Sequence, residues 1–214
     1  MIADVDAALR TLVHDEALTG AGVDVAFEAP TKDWAAKRTS PTISAYLYDI
    51  REDVRRRESG FVNEYDGARV RSRHSPPRYF RLSYLVAAWT QRPEDEHGLL
   101  SRLLQCLVNY QSVPTGILGP TLRDLGLPVP MTVALPPAED RSFADVWSAL
   151  GGELKPSLDV VISAPLPVTR TLSVGPPVLQ PTTLDSRDRS WPNTRAGELR
   201  RRPRIEEDKD EVRS

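Results

Sequence analysis

The sequence predicts an α/β (α+β) domain, a mixed sheet packed by helices, followed by a disordered or extended C-terminal tail. Three observations carry this. PTISAYLYDI (41–50) and YFRLSYLVAAWT (79–90) are apolar on both alternating sets of positions, the pattern of strands buried on two faces. The second run leads directly into the acid-started stretch EDEHGLLSRLLQCLV (94–108), a strand-to-helix junction. Beyond residue 168 the chain turns to Pro, Arg and acidic residues with neither a helical nor a strand period. The 214 residues therefore divide into one domain, 1–168, and a tail, 169–214.

At the start, Ile2, Val5, Leu9, Leu12 and Val13 recur every three or four residues, which lines one face of a helix that Gly20 or Gly22 ends. Residues 23–27 read as a short strand stopped by Pro30, and KDWAAKR (32–38) as a polar connection holding Trp34 as a packing anchor. The run 41–50 is an interior strand. From Arg51 to Arg73 charge dominates and Gly60 and Gly67 sit at turn-like places, so a long protruding hairpin or mobile loop is expected.

Pro76 and Pro77 impose an extended approach to the strand 79–90, which is central and exposed only around Arg81 and Ser83. Glu94, Asp95 and Glu96 favour a helix N-terminus, and Leu99, Leu100, Leu103, Leu104, Leu107 and Val108 make its apolar face. A short helix at 120–125 and a strand at 129–135 follow. In RSFADVWSALGG, Ser142 is a cap and Phe143, Val146, Trp147 and Leu150 form a compact face. A last strand runs from 157 to 165, with Leu158, Val160 and Ile162 opposite Val161. In the tail, the basic block 200–204 beside the acidic run 206–211 reads as solvated, because such a segment buries too little apolar surface to offset its chain entropy.

The 28 basic and 30 acidic residues nearly cancel, so no global field draws nucleic acid or an anionic membrane. The first residues lack a basic leader, and no apolar run approaches the roughly 18 residues of a membrane span. A single cysteine, Cys106, forms no internal disulfide and fits a reducing compartment. A soluble protein made in the cytoplasm is expected.

A search for chemistry finds little. His14, His74 and His97 are widely spaced and show no metal-ligand pattern; there is no phosphate-binding loop and no nucleophile elbow. Nine helical residues hold Cys106 and His97 about 13 Å apart, which excludes a nucleophile–base pair. Trp34, Trp89 and Trp147 lie in or beside apolar runs and read as core. Arg51, Arg55, Arg56, Arg57, Arg69, Arg71 and Arg73 are the candidate interface residues; Glu52, Asp53, Glu58, Glu64 and Asp66 interleave with them, which disfavours nucleic acid and favours a protein partner. No catalytic residue, cofactor or metal is expected. An enzyme of unrecognised type and a nucleic-acid adaptor using the loop 51–73 remain as alternatives.

The order PTISAYLYDIREDVRRRE, PPRYFRLSYLVAAWT with EDEHGLLSRLLQCL, then FADVWSALGGELKPSLDVVISAPL resembles the cap, or tail-terminator, proteins of extracellular contractile injection systems. These are phage-tail-like particles such as the antifeeding prophage and the Photorhabdus virulence cassettes. The likeness covers residues 2–168. It implies a fold similar to phage tail-terminator domains and a structural, non-enzymatic role: a homohexameric ring at the baseplate-distal end of the inner tube and sheath. The partners implied are further copies of the chain and the sheath and inner tube proteins, with no membrane. Assembly would be cytoplasmic, the particle being retained there or released by lysis. A ring contact needs two different complementary patches on each subunit, and the charged stretch 51–73 is the candidate for one. A segment such as 172–184 is the candidate for an arm that adds a strand to a neighbouring sheet, although its prolines oppose this.

Overall fold

A computed structural model describes residues 1–67, 69–136, 142–168 and 171–173. The chain divides into two units, Met1–Gly175 and Pro176–Ser214, and every described residue belongs to the first. The expected tail, 169–214, therefore lies outside the described residues except at 171–173.

Five strands form a mixed sheet in the order β1-β2-β5-β7-β6. They are β1 (Asp24–Ala26), β2 (Thr42–Glu52), β5 (Arg78–Trp89), β6 (Met131–Val133) and β7 (Ser157–Leu166). Only β1 and β2 are parallel; the remaining pairs are antiparallel. The apolar run 79–90 occupies the centre, as its two-faced pattern predicts. A second sheet of three strands joins β3 (Val62–Asp66), β4 (Arg69–His74) and β8 (Thr171–Ser173), so the charged stretch forms a hairpin and one more strand follows β7. That eighth strand corrects the expectation that β7 is the last. Gly67 takes φ +61° at the hairpin turn, a conformation open to glycine at little cost.

One face of the five-stranded sheet carries the main core. Leu82, Tyr84, Val86 and Ala88 of β5 meet Val5, Leu9 and Leu12 from the first helix, α1 (Ile2–Thr11), and its continuation. Leu100, Leu103 and Leu107 of α3 (Pro93–Leu107) complete the layer. The sequence spacing that predicts α1 does not predict its ending. Residues Leu12–Ala17 widen into a π-helical turn in which Leu18 N–H donates to the Val13 carbonyl at 3.1 Å, keeping Leu12, Val13 and Ala17 buried.

The opposite face is covered at one end by α5 (Phe143–Ala149), whose Trp147 is buried on Leu85 and Ala87. Leu85 and Ala87 thus point away from Tyr84 and Val86, the split expected of a strand with two apolar faces. Ser142 stands at the α5 N-cap, but its side chain makes no capping bond there.

Four further expectations need correction. KDWAAKR contains α2 (Lys32–Ala36), because the Thr31 side chain accepts from Trp34 N–H at 3.2 Å and nucleates a turn. Ser83 is completely buried, since β2 and β7 flank it with Asp49 and Val161. Leu104 and Val108 are exposed, because an α-helix presents one stripe to a sheet and Leu100, Leu103 and Leu107 occupy it. Ile50 is 49% exposed, since β1 pairs only with Thr42–Ser44 and leaves the distal half of β2 uncovered on that side.

Candidate assembly interface

Tyr48 is an extra residue in β2, lying between the pairs Leu47–Tyr84 and Asp49–Ser83. Such a bulge re-aims the strand. Beyond it, β2 ends in Arg51 and Glu52 and turns through the 3-10 segment Val54–Arg56. Arg51 lies 3.2 Å from Asp49. Arg57 grips Glu52 with two hydrogen bonds, 2.9 Å from Nε and 2.5 Å from Nη2, while Arg78 approaches the same carboxylate at 3.7 Å. Chiefly through its hydrogen bonds, Arg57 holds the Glu52 carboxyl below the usual range. Arg56 reaches Asp53 at 3.5 Å and covers the Tyr79 ring at 5.5 Å. These side chains form an arginine-rich rim at one end of the five-stranded sheet.

Arg69, Arg71 and Arg73 stand elsewhere. They are the exposed positions of β4, alternating with the half-buried Val70, Ser72 and His74. In the hairpin Glu64 pairs with Ser72 and Tyr65 with Val70, so Arg71 is the bulged residue. Ser72 Oγ donates to Glu64, and His74 Nε2 lies 3.9 Å from the same carboxylate. The stretch read as one charged loop thus supplies two surfaces on two sheets. Arg51, Arg55, Arg56 and Arg57 go to the first; Arg69, Arg71 and Arg73 go to the second.

Charge is only part of what these surfaces offer. Phe61, Val62 and Tyr65 are exposed on the hairpin, at 56%, 43% and 64%. Their signal is present in the sequence as GFVNEYDG, three large apolar residues among charges. A different surface carries Leu104 and Val108, one helical turn apart on the outer side of α3.

The remaining candidates are structural. Trp34, Trp89 and Trp147 pack in a row, with ring centroids 5.5 Å apart for Trp34–Trp89 and 6.0 Å for Trp89–Trp147. Trp89 Nε1 donates to Ser44 Oγ at 2.9 Å, and Lys155 lies over the Trp89 ring while its ammonium meets Glu96. The acid-started helix is thereby tied to the strand before it. Burial, first of its causes, raises the Cys106 thiol above its ordinary value and favours the unreactive protonated form. Among the described residues no three His, Cys, Asp or Glu side chains are grouped to hold a metal, and no helix is long and apolar enough to cross a membrane.

The fold is shared with solved terminators of contractile particles. The chain is similar to the sheath/tube terminator of an extracellular contractile injection system, PVC, in its extended state, with TM-score 0.64 and 21% identity over 86% of this chain. It is similar to the tube-terminating cap of the anti-feeding prophage, with TM-score 0.61 and 19% identity, again over 86% of this chain. It spans 63% and 62% of those two chains. No curated protein matches. Residues 4–180 match the model of the Pvc16 N-terminal domain, and the chain belongs to that family.

Proposed function

We propose that this protein is a structural, non-catalytic cap that ends the inner tube and sheath of a contractile injection particle at the baseplate-distal end, as a hexameric ring. The observation that carries this reading is the sharing of one fold, over 86% of the chain, with the terminators of two such particles. Family membership over residues 4–180 supports it. A ring of identical subunits needs two unlike surfaces that meet each other. The hairpin residues Phe61, Val62 and Tyr65 and the outer α3 residues Leu104 and Val108 supply such a pair.

In this reading Arg69, Arg71 and Arg73 flank the ring contact, and the rim formed by Arg51, Arg55, Arg56 and Arg57 faces the tube or sheath. The ring assembles in the cytoplasm, and the particle stays there or leaves on lysis. Native mass spectrometry of the purified chain and gold labelling of a tagged chain on particles test the proposal. Six copies per ring and label at the single end opposite the baseplate are expected. A monomer under all conditions, or label spread along the shaft, would contradict it.

A further inference from the structure

The half of the second sheet face that α5 leaves uncovered forms a groove of about 650 Å3. Its floor is Val161 and Ser163 of β7 with Arg81 of β5, and Arg55 stands on its wall. Two carboxylates line it, and both already carry cations of their own chain. Glu52 is held by Arg57 and Arg78, and Asp53 by Arg56 and by Ser163 Oγ, which donates at 3.1 Å. Arg55 and Arg81 have no ion-pair partner among the described residues. Among the described lining residues, the acids therefore leave the charge of Arg55 and Arg81 uncompensated.

The strand beside it, β6, ends the sheet. Ser163 N–H donates to the Pro130 carbonyl at 2.8 Å and Ala134 N–H to Asp159 at 2.8 Å, so alternate residues of this segment bond to β7. Val133 falls between them, and its backbone groups face outward. Before it on that outer side, Met131 N–H donates to the Gln111 carbonyl at 2.9 Å and Ser112 bridges Pro130, so Val133 alone of β6 leaves its backbone N–H open there.

We propose that this groove receives an extended, carboxylate-rich peptide segment of a partner protein. Charge complementarity sets the acidic character, because a carboxylate matches the planar guanidinium fork of Arg55 or Arg81. A segment that runs on from the groove past β6 can pair its backbone with Val133, which favours an extended conformation there. A nucleic acid fits less well: its continuous row of phosphates would meet Glu52 and Asp53, whereas a peptide can place apolar side chains there and against Val54. The site rests on the groove alone and does not require the cap role.

The test uses fluorescence anisotropy on the full chain with a labelled peptide of alternating Glu and Val. A Lys/Val peptide and an oligothymidylate of equal charge serve as comparisons. The Glu/Val peptide should bind at low salt, weaken several-fold by about 0.5 M NaCl as screening shortens, and bind at least about tenfold more weakly to R55E/R81Q, about 1.4 kcal/mol. V133P, which removes an outward N–H and leaves the bonds to β7 in place, should weaken the peptide while leaving any residual oligothymidylate binding unchanged. Absence of peptide binding, equal affinity for R55E/R81Q with a native circular-dichroism spectrum, or tighter binding of oligothymidylate than of peptide would overturn the proposal. Because the readout needs no particle, its failure is separable from failure of the cap reading.

Discussion

The phenol of Tyr84 donates a 2.6 Å hydrogen bond to Asp6, joining the central strand to the first helix across the core. The Tyr84 side chain is fully buried and packs edge-on to Phe27 at 6.4 Å. Removing the hydroxyl leaves a carboxylate without this donor, so Tyr84→Phe should lower stability by about 2 kcal/mol. Urea denaturation checks this, with the midpoint falling and the slope unchanged.

Burial, reinforced by the bond to Asp6, pushes the Tyr84 phenol far above its ordinary value of 10.0. Burial also raises Tyr79. The unfolded chain then loses the Tyr84 proton near pH 10 while the folded chain keeps it. The stability is fully present below pH 10 and is lost as pH rises from there toward the folded value, at up to about 1.4 kcal/mol per pH unit. Unfolding midpoints measured from pH 8 to 11.5 should fall above pH 10, and more gently in Tyr84→Phe.

Trp147 is the one fully buried side chain of α5, and it holds that helix to Leu85 and Ala87. Trp147→Ala should cost about 3–5 kcal/mol. Hydrogen exchange should show residues 143–149 losing protection while α1 keeps its own.

Arg10 Nη1 donates to the Val25 carbonyl at 2.6 Å, and the guanidinium covers the Phe27 ring at 4.9 Å. Since β1 is the terminal strand of its sheet, this contact closes an edge that would otherwise template pairing with another chain. Arg10→Ala should cost about 1 kcal/mol and raise light scattering on mild heating. A variant that neither destabilises nor aggregates would show the edge to be closed by other means.

The interior strands, the acid-started helix and the two-faced β5 were legible because burial on a pleated strand and on a helix each leaves a period in the sequence. The α3 stripe was only partly legible. Leu104 and Val108 look like core beside Leu103 and Leu107, and nothing local distinguishes an apolar residue that faces a sheet from one left exposed. Splitting of the arginines between two sheets was illegible for a related reason: β4 pairs with β8, almost a hundred residues later, and no local pattern announces that pairing. Arg81 was visible as an exposed residue in the central strand, but its place in a groove depends on β6, β7 and the Val54–Arg56 segment meeting there.

Leu104→Glu with Val108→Glu separates folding from assembly. Both side chains are exposed, so monomer stability should change by no more than about 0.5 kcal/mol. Sedimentation should show the proposed ring present for the wild-type chain and lost in this variant.

The most direct test of the cap role is the length distribution of particles made without this chain, measured by electron microscopy. Tubes of irregular length with sheaths that slip or are missing at one end are expected, restored to uniform length by the wild-type chain and not by the Leu104→Glu, Val108→Glu variant. Particles of normal, uniform length with intact sheaths in its absence would contradict it.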